Sequence, residues 1–491
     1  MSGTLIVALL AIPLIGALLS WRLRSTVLLH AVAGVTHILV LACALALLTQ
    51  LLRGSAPHLF GGWLVLDHLG GLVLLIVACV GFTAAIYSIG YMGHELSVGA
   101  IAARDLSRYY LLFHVFVFTM LVASVAGNLG LLWTAIAGTT IASAPLVDFF
   151  GSRDPLEAAW KYILLTTAGS MIALFGFLVL YQAGVHLLGR SYDFSFLTLA
   201  AVAPRLPAEA AAAAFVLVLV GLGAKAGLAP MHSWLPDAHS QAPSPICALL
   251  SGVELNCAML GILRVFELTA PAAGASRLRF GLLLLGLVSV AVGVVFLVSQ
   301  RDFKRLLAYS SIEQMGLVAV GVGLGVPLAV FGGLLQMVNH AFTKSLMFFG
   351  TGNLLLRFET RTMTSVSGVV RLMPVTAMVT LAGALAIGGA PPFSLFVSEF
   401  SIVAGAASSR QWIPTVLVAS LLVVGFLAIL WPFNRMVFSN PARQAAVAES
   451  EINAFTLVPA VVSLAVIVLL GVWVPGPLRD LLAGAARGLA P

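Results

Sequence analysis

His340 and Lys344 stand four residues apart in VNHAFTKSLMFF, so they share one face of a helix. They lie more than ten residues from either end of an apolar run. A lysine snorkels only about one side-chain length, too short to reach an aqueous interface from there. A central lysine costs about 2.5–3.5 kcal/mol even on the lenient insertion scale, so water or a carboxylate must meet Lys344. For His340 the competing reading is a histidine satisfied in a packed core. Glu399 follows Pro391-Pro392 in SLFVSEF with apolar residues on both sides. Lys225 sits near the end of another run, where snorkelling competes. Glu254, beside Asn256, lies about ten residues into the next run, and a polar contact between helices explains it as well as transport does. Burial penalises the charged form of acids and lysines alike, so such groups exchange protons near neutral pH. A row of them passes protons along, because moving one proton changes the charge that the next site sees.

These groups need elements that hold them in hydrocarbon. The chain has 491 residues, 61% hydrophobic and 9% charged, whereas a soluble domain is about 25% charged. This predicts an all-α polytopic membrane protein. With about 20 apolar residues per spanning helix, fourteen segments begin near residues 3, 26, 68, 108, 128, 158, 209, 244, 280, 304, 326, 373, 413 and 455. If loops alternate sides, those after the odd-numbered segments carry fourteen Lys and Arg, against nine for the termini and the other loops. The positive-inside bias then puts the first set in the cytoplasm and both termini on the other side of a bacterial-type inner membrane. Gly3 to Ser20 has no preceding Lys or Arg and is followed by Arg22 and Arg24. That is the wrong polarity for a cleaved signal peptide, so a retained first helix is expected.

The formal charge of +7 is spread singly through short loops, which suits a bilayer and not nucleic acid. The four cysteines (Cys43, Cys79, Cys247, Cys257) lie in apolar runs without a C-x-x-C pair, so neither a disulfide framework nor an iron–sulfur site is indicated. The longest polar intervals are Gly54 to Gly62, Gly93 to Ser107, Gly189 to Glu209 and Asn440 to Glu451, all of loop size. No phosphate- or dinucleotide-binding pattern occurs. Gly221-Leu222-Gly223 lies inside a membrane run and reads as helix packing. No cofactor is expected.

Two stretches break the apolar pattern. Gly221 to Pro245 (GLGAKAGLAPMHSWLPDAHSQAPSP) carries four prolines, and Ile387 to Glu399 (IGGAPPFSLFVSE) carries two. Broken backbone at membrane depth is tolerated only where protein or a water-filled cavity surrounds it. The breaks fall in segments 7 and 12, and an odd offset of five reverses the crossing direction. The pattern suggests inverted repeats, a pointer to a transporter's ion site. We divide the chain into residues 1–107 (segments 1–3), 108–270 (segments 4–8), 271–437 (segments 9–13) and 438–491 (segment 14 and tail). His232, Asp237 and His239 could be metal ligands. The neighbouring Trp234 and Pro236 instead suggest a loop leading into a helix, with Asp237 or Ser240 meeting backbone donors. Arg301, Lys304 and Arg305 read as an orientation anchor at the cytoplasmic surface, and Asp67-His68 and Asp148 as interfacial.

KAGLAPMHSWLPDAHSQAPSP, DFKRLLAYSSIEQMG, NHAFTKSLMFFGTGN and APPFSLFVSEF together resemble the antiporter-like membrane subunits of respiratory complex I, Mrp-type cation antiporters and group 4 membrane-bound [NiFe]-hydrogenases. HSQAPSPICALLSG, LNCAMLGILR and NHAFTKSLMFF are most similar to the F-type membrane component of hydrogenase 4. The resemblance implies fourteen core helices in two inverted five-helix repeats with helices 7 and 12 broken. It places the helix 7 transport lysine on Lys225, the helix 11 His and Lys on His340 and Lys344, and the helix 12 Lys or Glu on Glu399. Asn256 stands where complex I relatives carry Lys or His on helix 8. In LLWTAIAGTTIAS, Ala137 stands where the family has the glutamate that modulates the helix 7 lysine. Asp148, about 16 Å further along a helix, is too far to replace it directly, which leaves Glu254 as the other carboxylate to weigh.

The resemblance therefore implies a subunit without a redox centre. It would move protons or Na⁺ within a larger complex containing other membrane subunits and a peripheral hydrogenase or dehydrogenase arm with iron–sulfur proteins. Ala137 favours a transport-inactive scaffold instead, and similar subunits also serve inorganic-carbon uptake. A free-standing quinone reductase would need a cofactor motif that is absent.

Overall fold

In hydrocarbon a chain must satisfy its own backbone, and the apolar runs fold as helices accordingly. The computed structural model describes residues 2–440 and 451–490, so the Asn440 to Glu451 interval lies outside it except at its two ends. The first half contains α1 (Ser2–Arg22), α2 (Thr26–Leu52), α3 (His68–Ser97), α4 (Ala103–Val125), α5 (Leu129–Val147), α6 (Arg153–Leu188), the short α7 (Phe196–Val202) and α8 (Ala208–Lys225). Then come α9 (Trp234–Gln241), α10 (Ser244–Leu249), α11 (Leu255–Ala273), α12 (Ala275–Val298), α13 (Phe303–Gly323) and α14 (Pro327–Phe358). The rest comprises α15 (Val369–Leu372), α16 (Pro374–Ile387), α17 (Ser394–Ser408), α18 (Trp412–Phe438), α19 (Ala454–Val472) and α20 (Gly476–Ala486). The one sheet among the described residues is a small hairpin, β1 (His58–Leu59) with β2 (Leu64–Val65), pairing His58 with Val65.

Among the described residues, twelve helical spans are long and apolar enough to cross a bilayer. The 32-residue α14, polar at its centre, and the α16–α17 pair bring the crossings to fourteen, the number read from the sequence. Three helices start five residues earlier than their apolar runs, at Ala103, Arg153 and Ala275, because hydrogen bonding begins at the turn before the hydrophobic edge. Side-chain caps fix other starts: Asn128 accepts from Leu131 N at 2.9 Å, and Asp302 accepts from Lys304 N at 2.7 Å.

Both predicted breaks are present. After Lys225 the chain leaves the helix through Gly227 (φ +77°) and resumes at Trp234. The freed backbone finds partners inside the protein: Ala229 N donates to Ser289 Oγ at 2.9 Å, and Trp234 Nε1 donates to the Ala224 carbonyl at 2.8 Å. The second break, between Ile387 and Ser394, turns through Gly389 (φ +75°), and Asn339 Nδ2 donates to the Ser394 carbonyl at 2.7 Å. Close helix contacts frame these breaks. A methyl on Gly221 would overlap the backbone of Gly169 and Ala173 on α6, and one on Gly471 of α19 would overlap the Pro392 carbonyl. Gly221 thus serves the packing expected of it.

Residues Ser244 to Phe266 and the middle of α14 are wholly enclosed, while α1, α18 and α19 present large apolar side chains such as Ile413, Trp431 and Val472 outward. The outermost helices therefore meet lipid, and the polar groups collect on the enclosed ones.

Candidate functional site

Lys225 closes α8 with its side chain fully buried. Its Nζ lies 2.8 Å from Glu254 Oε1 and donates to Thr140 Oγ1. The same Glu254 oxygen accepts from Thr139 Oγ1 and from Tyr162 OH, each at 2.7 Å. Thr139 and Thr140 come from α5, Tyr162 from α6, and Glu254 from the α10–α11 span. Glu254 ends a single π-helical turn, Leu250–Glu254; such a turn inserts one residue and so rotates the side chains beyond it about the helix axis. The carboxylate facing Lys225 is thus supplied from the eighth crossing, where the sequence left Glu254 open between helix contact and transport. Asp148 instead caps the end of α5.

The second half is built differently. Lys344 Nζ donates to the Leu307 carbonyl at 2.6 Å and to Ser310 Oγ, both on α13. His340 Nε2 lies 3.2 Å from the Ser251 carbonyl, and Ser251 Oγ shares a 2.7 Å hydrogen bond with Ser311 Oγ. Asn256 Nδ2 donates to the Gly252 carbonyl at 2.8 Å and to the Met337 carbonyl at 3.3 Å. Beyond Lys344, Gln314 Nε2 donates to Glu399 Oε1 at 3.2 Å, and Gln336 joins Gln314 to Ser398. Lys225, Glu254, His340, Lys344 and Glu399 are all buried.

Gly389 illustrates how tightly Glu399 is held. It has positive φ, and a Cβ there would overlap Glu399 Oε2. Gly389→Ala is expected to destabilise the protein by at least about 1–2 kcal/mol from the left-handed backbone alone, and to displace the carboxylate. Thermal unfolding in mild detergent reads the first effect.

Of the auxiliary residues, His239 is buried with Nδ1 2.9 Å from the Leu235 carbonyl, and its ring centroid is 5.8 Å from that of Phe348. His232 is half-buried near Phe296 and Tyr309. Asp237 turns to the surface, pairing with Lys161 at 3.0 Å and Arg305 at 2.6 Å, so these three side chains do not converge on one point. The capping role expected of Asp237 or Ser240 is not what the structure has: neither bonds the first turn of α9, and Ser240 Oγ donates to the Asp237 carbonyl. Lys304 also needs correction. It is 1% exposed, and Nζ donates to the Ala242 carbonyl at 2.5 Å. Asp302 caps α13 and leaves Arg301 and Arg305 at the surface, while the next helical position turns inward to a carbonyl at the end of α9. Above Lys304 opens a cavity of about 490 Å³ lined by Tyr91, Glu95, Glu359 and Arg361 among others.

Sequence reasoning passed over several participants. Thr139, Thr140 and Tyr162 carried no spacing signal because each lies on a different helix from its partner. Glu313, Gln314 and Gln336 are ionisable or amide groups enclosed in apolar helices, and their burial could have been suspected from SSIEQMG. Arg264 is a further omission: buried within α11, it clamps Asp67 at 2.5 and 2.8 Å. Burial pushes the Asp67 carboxyl up, but Arg264 and the Gly70 N–H outweigh it and hold the group below the usual carboxylate range.

A helical bundle with two broken crossings, each beside a buried ionisable residue, defines an antiporter-like membrane subunit. Residues 126–425 match the family described as NADH:quinone oxidoreductase/Mrp antiporter, TM, and residues 63–99 match NADH-Ubiquinone oxidoreductase (complex I), chain 5 N-terminus. The chain belongs to this family of multi-pass membrane proteins. It is 35% identical over 373 residues to the Hydrogenase-4 component F homolog of Methylacidiphilum infernorum, across 75% of this chain and 77% of that one. It is 30% identical over 406 residues to Hydrogenase-4 component B of Escherichia coli, across 78% of this chain and 58% of the relative. Its fold is similar to a chain of the membrane-bound sulfane sulfur reductase, an archaeal respiratory membrane complex, with TM-score 0.86, 25% identity and coverage of 99% and 97%. A chain of the Mrp complex from Dietzia sp. DQ12-45-1b gives TM-score 0.85 at 21% identity, with the same coverage.

Proposed function

We propose that this chain moves protons, or Na⁺, across the membrane as the antiporter-like subunit of a redox-driven complex of the hydrogenase or complex I type. The observation that carries the reading is the enclosed Lys225–Glu254 pair at 2.8 Å. Two opposite charges taken out of water are costly to keep, and intramembrane ionisable groups mark ion or proton paths. The scaffold alternative rested on Ala137; it loses force because Glu254 supplies Lys225 with a carboxylate.

In this reading, opening the pair frees Lys225 to release its proton toward the centre, where Asn256 and Ser251 line the way to His340 and Lys344. Asn256 cannot titrate, so it would hold water and not the proton. Arrival of charge at Lys344 changes the occupancy of Glu399, the last ionisable group of the row. An electrostatic push at either end would then drive transport through the whole. The membrane is a bacterial-type inner membrane in this reading, with the termini on the non-cytoplasmic side. Partners are other membrane subunits and a peripheral arm of iron–sulfur proteins.

The test is mild-detergent purification through a tag on this chain, followed by mass spectrometry and reconstitution in vesicles carrying a pH-sensitive dye. Copurification of a nickel-binding hydrogenase subunit, with proton uptake under an imposed potential, is the expected result. A zinc protein without redox partners would point to inorganic-carbon uptake instead. Uptake no greater than that of empty vesicles would remove the transport reading.

A further inference from the structure

Lys225 and Lys344 are held alike in one respect and differently in another. Each donates to a hydroxyl on a neighbouring helix, Thr140 for Lys225 and Ser310 for Lys344. Lys225 also has a carboxylate at 2.8 Å; Lys344 has a backbone carbonyl in that place. A carboxylate is nonetheless close by. Glu313 follows Ser310 by three residues on α13, about 4.5 Å along the axis at 1.5 Å per residue, and the next residue, Gln314, bonds Glu399 at 3.2 Å.

Glu313 is 2% exposed and its Oε2 has no hydrogen-bond partner. An unpaired buried polar atom costs about 1–3 kcal/mol, and more when charged. Packing alone does not require such a group, and the neighbouring helices approach it closely because they present no side chain there. A Cβ on Gly425 of α18 would come within 2.7 Å of Glu313 Oε1, and one on Gly293 of α12 within 2.8 Å of its backbone nitrogen. The charges near enough to act on Glu313 are those of Glu399 on α17 and Lys344 on α14, while α12 and α18 present glycine.

We propose that Glu313 is a proton-carrying carboxylate of the second half of the path, taking a proton from Lys344 and passing it to Glu399. The steps balance without a co-reactant. An N–H bond of the Lys344 ammonium breaks and an O–H bond forms on Glu313, leaving a neutral amine and a neutral acid. The O–H bond then breaks as one forms on Glu399, and Lys344 is recharged from the His340 side. Glycine at 293 and 425 lets α12 and α18 close directly onto Glu313 with no side chain between. This rests on the proton-conducting reading of the site.

The experiment uses the complex purified through this chain and reconstituted in vesicles under an imposed potential, with uptake and pH-dependent difference infrared spectra recorded together. Glu313→Gln keeps the size of the side chain and removes its proton exchange, so uptake is expected to fall by about a hundredfold, the lower end of the range for a positioned acid–base group. Its carboxyl signal should vanish from the infrared difference spectrum. Glu313→Asp should retain partial uptake and a shifted carboxyl band, which a packing role would not produce. Unchanged uptake by Glu313→Gln, with Glu399→Gln inactive, overturns this inference alone. Unchanged uptake by Glu399→Gln and Glu254→Gln as well means that the transport reading itself has failed. If Glu313→Gln does not assemble, the aspartate variant decides: a carboxyl band that titrates supports the proposal, and one that stays in a single protonation state overturns it.

Discussion

Replacing Glu254 with glutamine is expected to reduce proton uptake by about a hundredfold, the lower end of what a positioned acid–base group contributes. Glutamine can still accept from Thr139 and Tyr162, which bond Glu254 Oε1 at 2.7 Å. Lys225 would lose its counter-charge while remaining fully buried. Breaking one side of a buried pair costs about 3–5 kcal/mol, so thermal unfolding in detergent should move down with the loss of uptake. The double variant Lys225→Met with Glu254→Leu separates the two effects. With both charges gone, the folded state should be at least as stable as the parent, because apolar residues of similar volume replace buried ion pairs at little or no cost. Uptake should stay lost. A double variant less stable than either single one would mean that the pair holds the fold together instead of carrying charge. The reverse substitution tests the transposition: Ala137→Glu in the Glu254→Gln background puts a carboxylate one helical turn from Thr140, which bonds Lys225, and partial recovery of uptake is the expected result.

The second large effect is expected at Glu399. Glu399→Gln should cut uptake by about a hundredfold on the same grounds, with assembly intact because glutamine retains an oxygen for Gln314 Nε2, which lies 3.2 Å from Glu399 Oε1. The carboxyl also borders a cavity of about 390 Å³ lined by Pro391, Phe396 and Phe426 among others, so the group where the row ends has open space beside it. Aspartate at this position should restore part of the activity only if a titrating group, and not the shape of the side chain, is what matters. Full activity in Glu399→Gln would instead favour a scaffold that no longer transports.

The class of fold and most of the candidate row were legible in the order of residues. Apolar runs of membrane length admit helices and little else, so fourteen crossings could be counted. Gly and Pro interrupting such runs are tolerated in few settings, so both breaks could be placed. Lys344 and His340 stood out because their spacing puts them on one face, deep within a span, where a charge demands a reason. Beyond reach were the pairings between elements far apart in the chain. Glu254 reaches Lys225 because a π-helical turn re-aims the eighth crossing toward α5 and α6, and no pattern of hydrophobicity encodes that rotation. Lys304 read as a surface anchor because its neighbours are charged and near a helix start. Only the cap at Asp302 and the bond from Lys304 Nζ to the Ala242 carbonyl show it turning inward. Glu313 stayed unremarked although SSIEQMG hinted at its burial, because nothing along the chain shows which groups face it. A sequence reveals that a charge is buried, but its partners are set by which helix faces meet across hundreds of residues, and packing alone decides that.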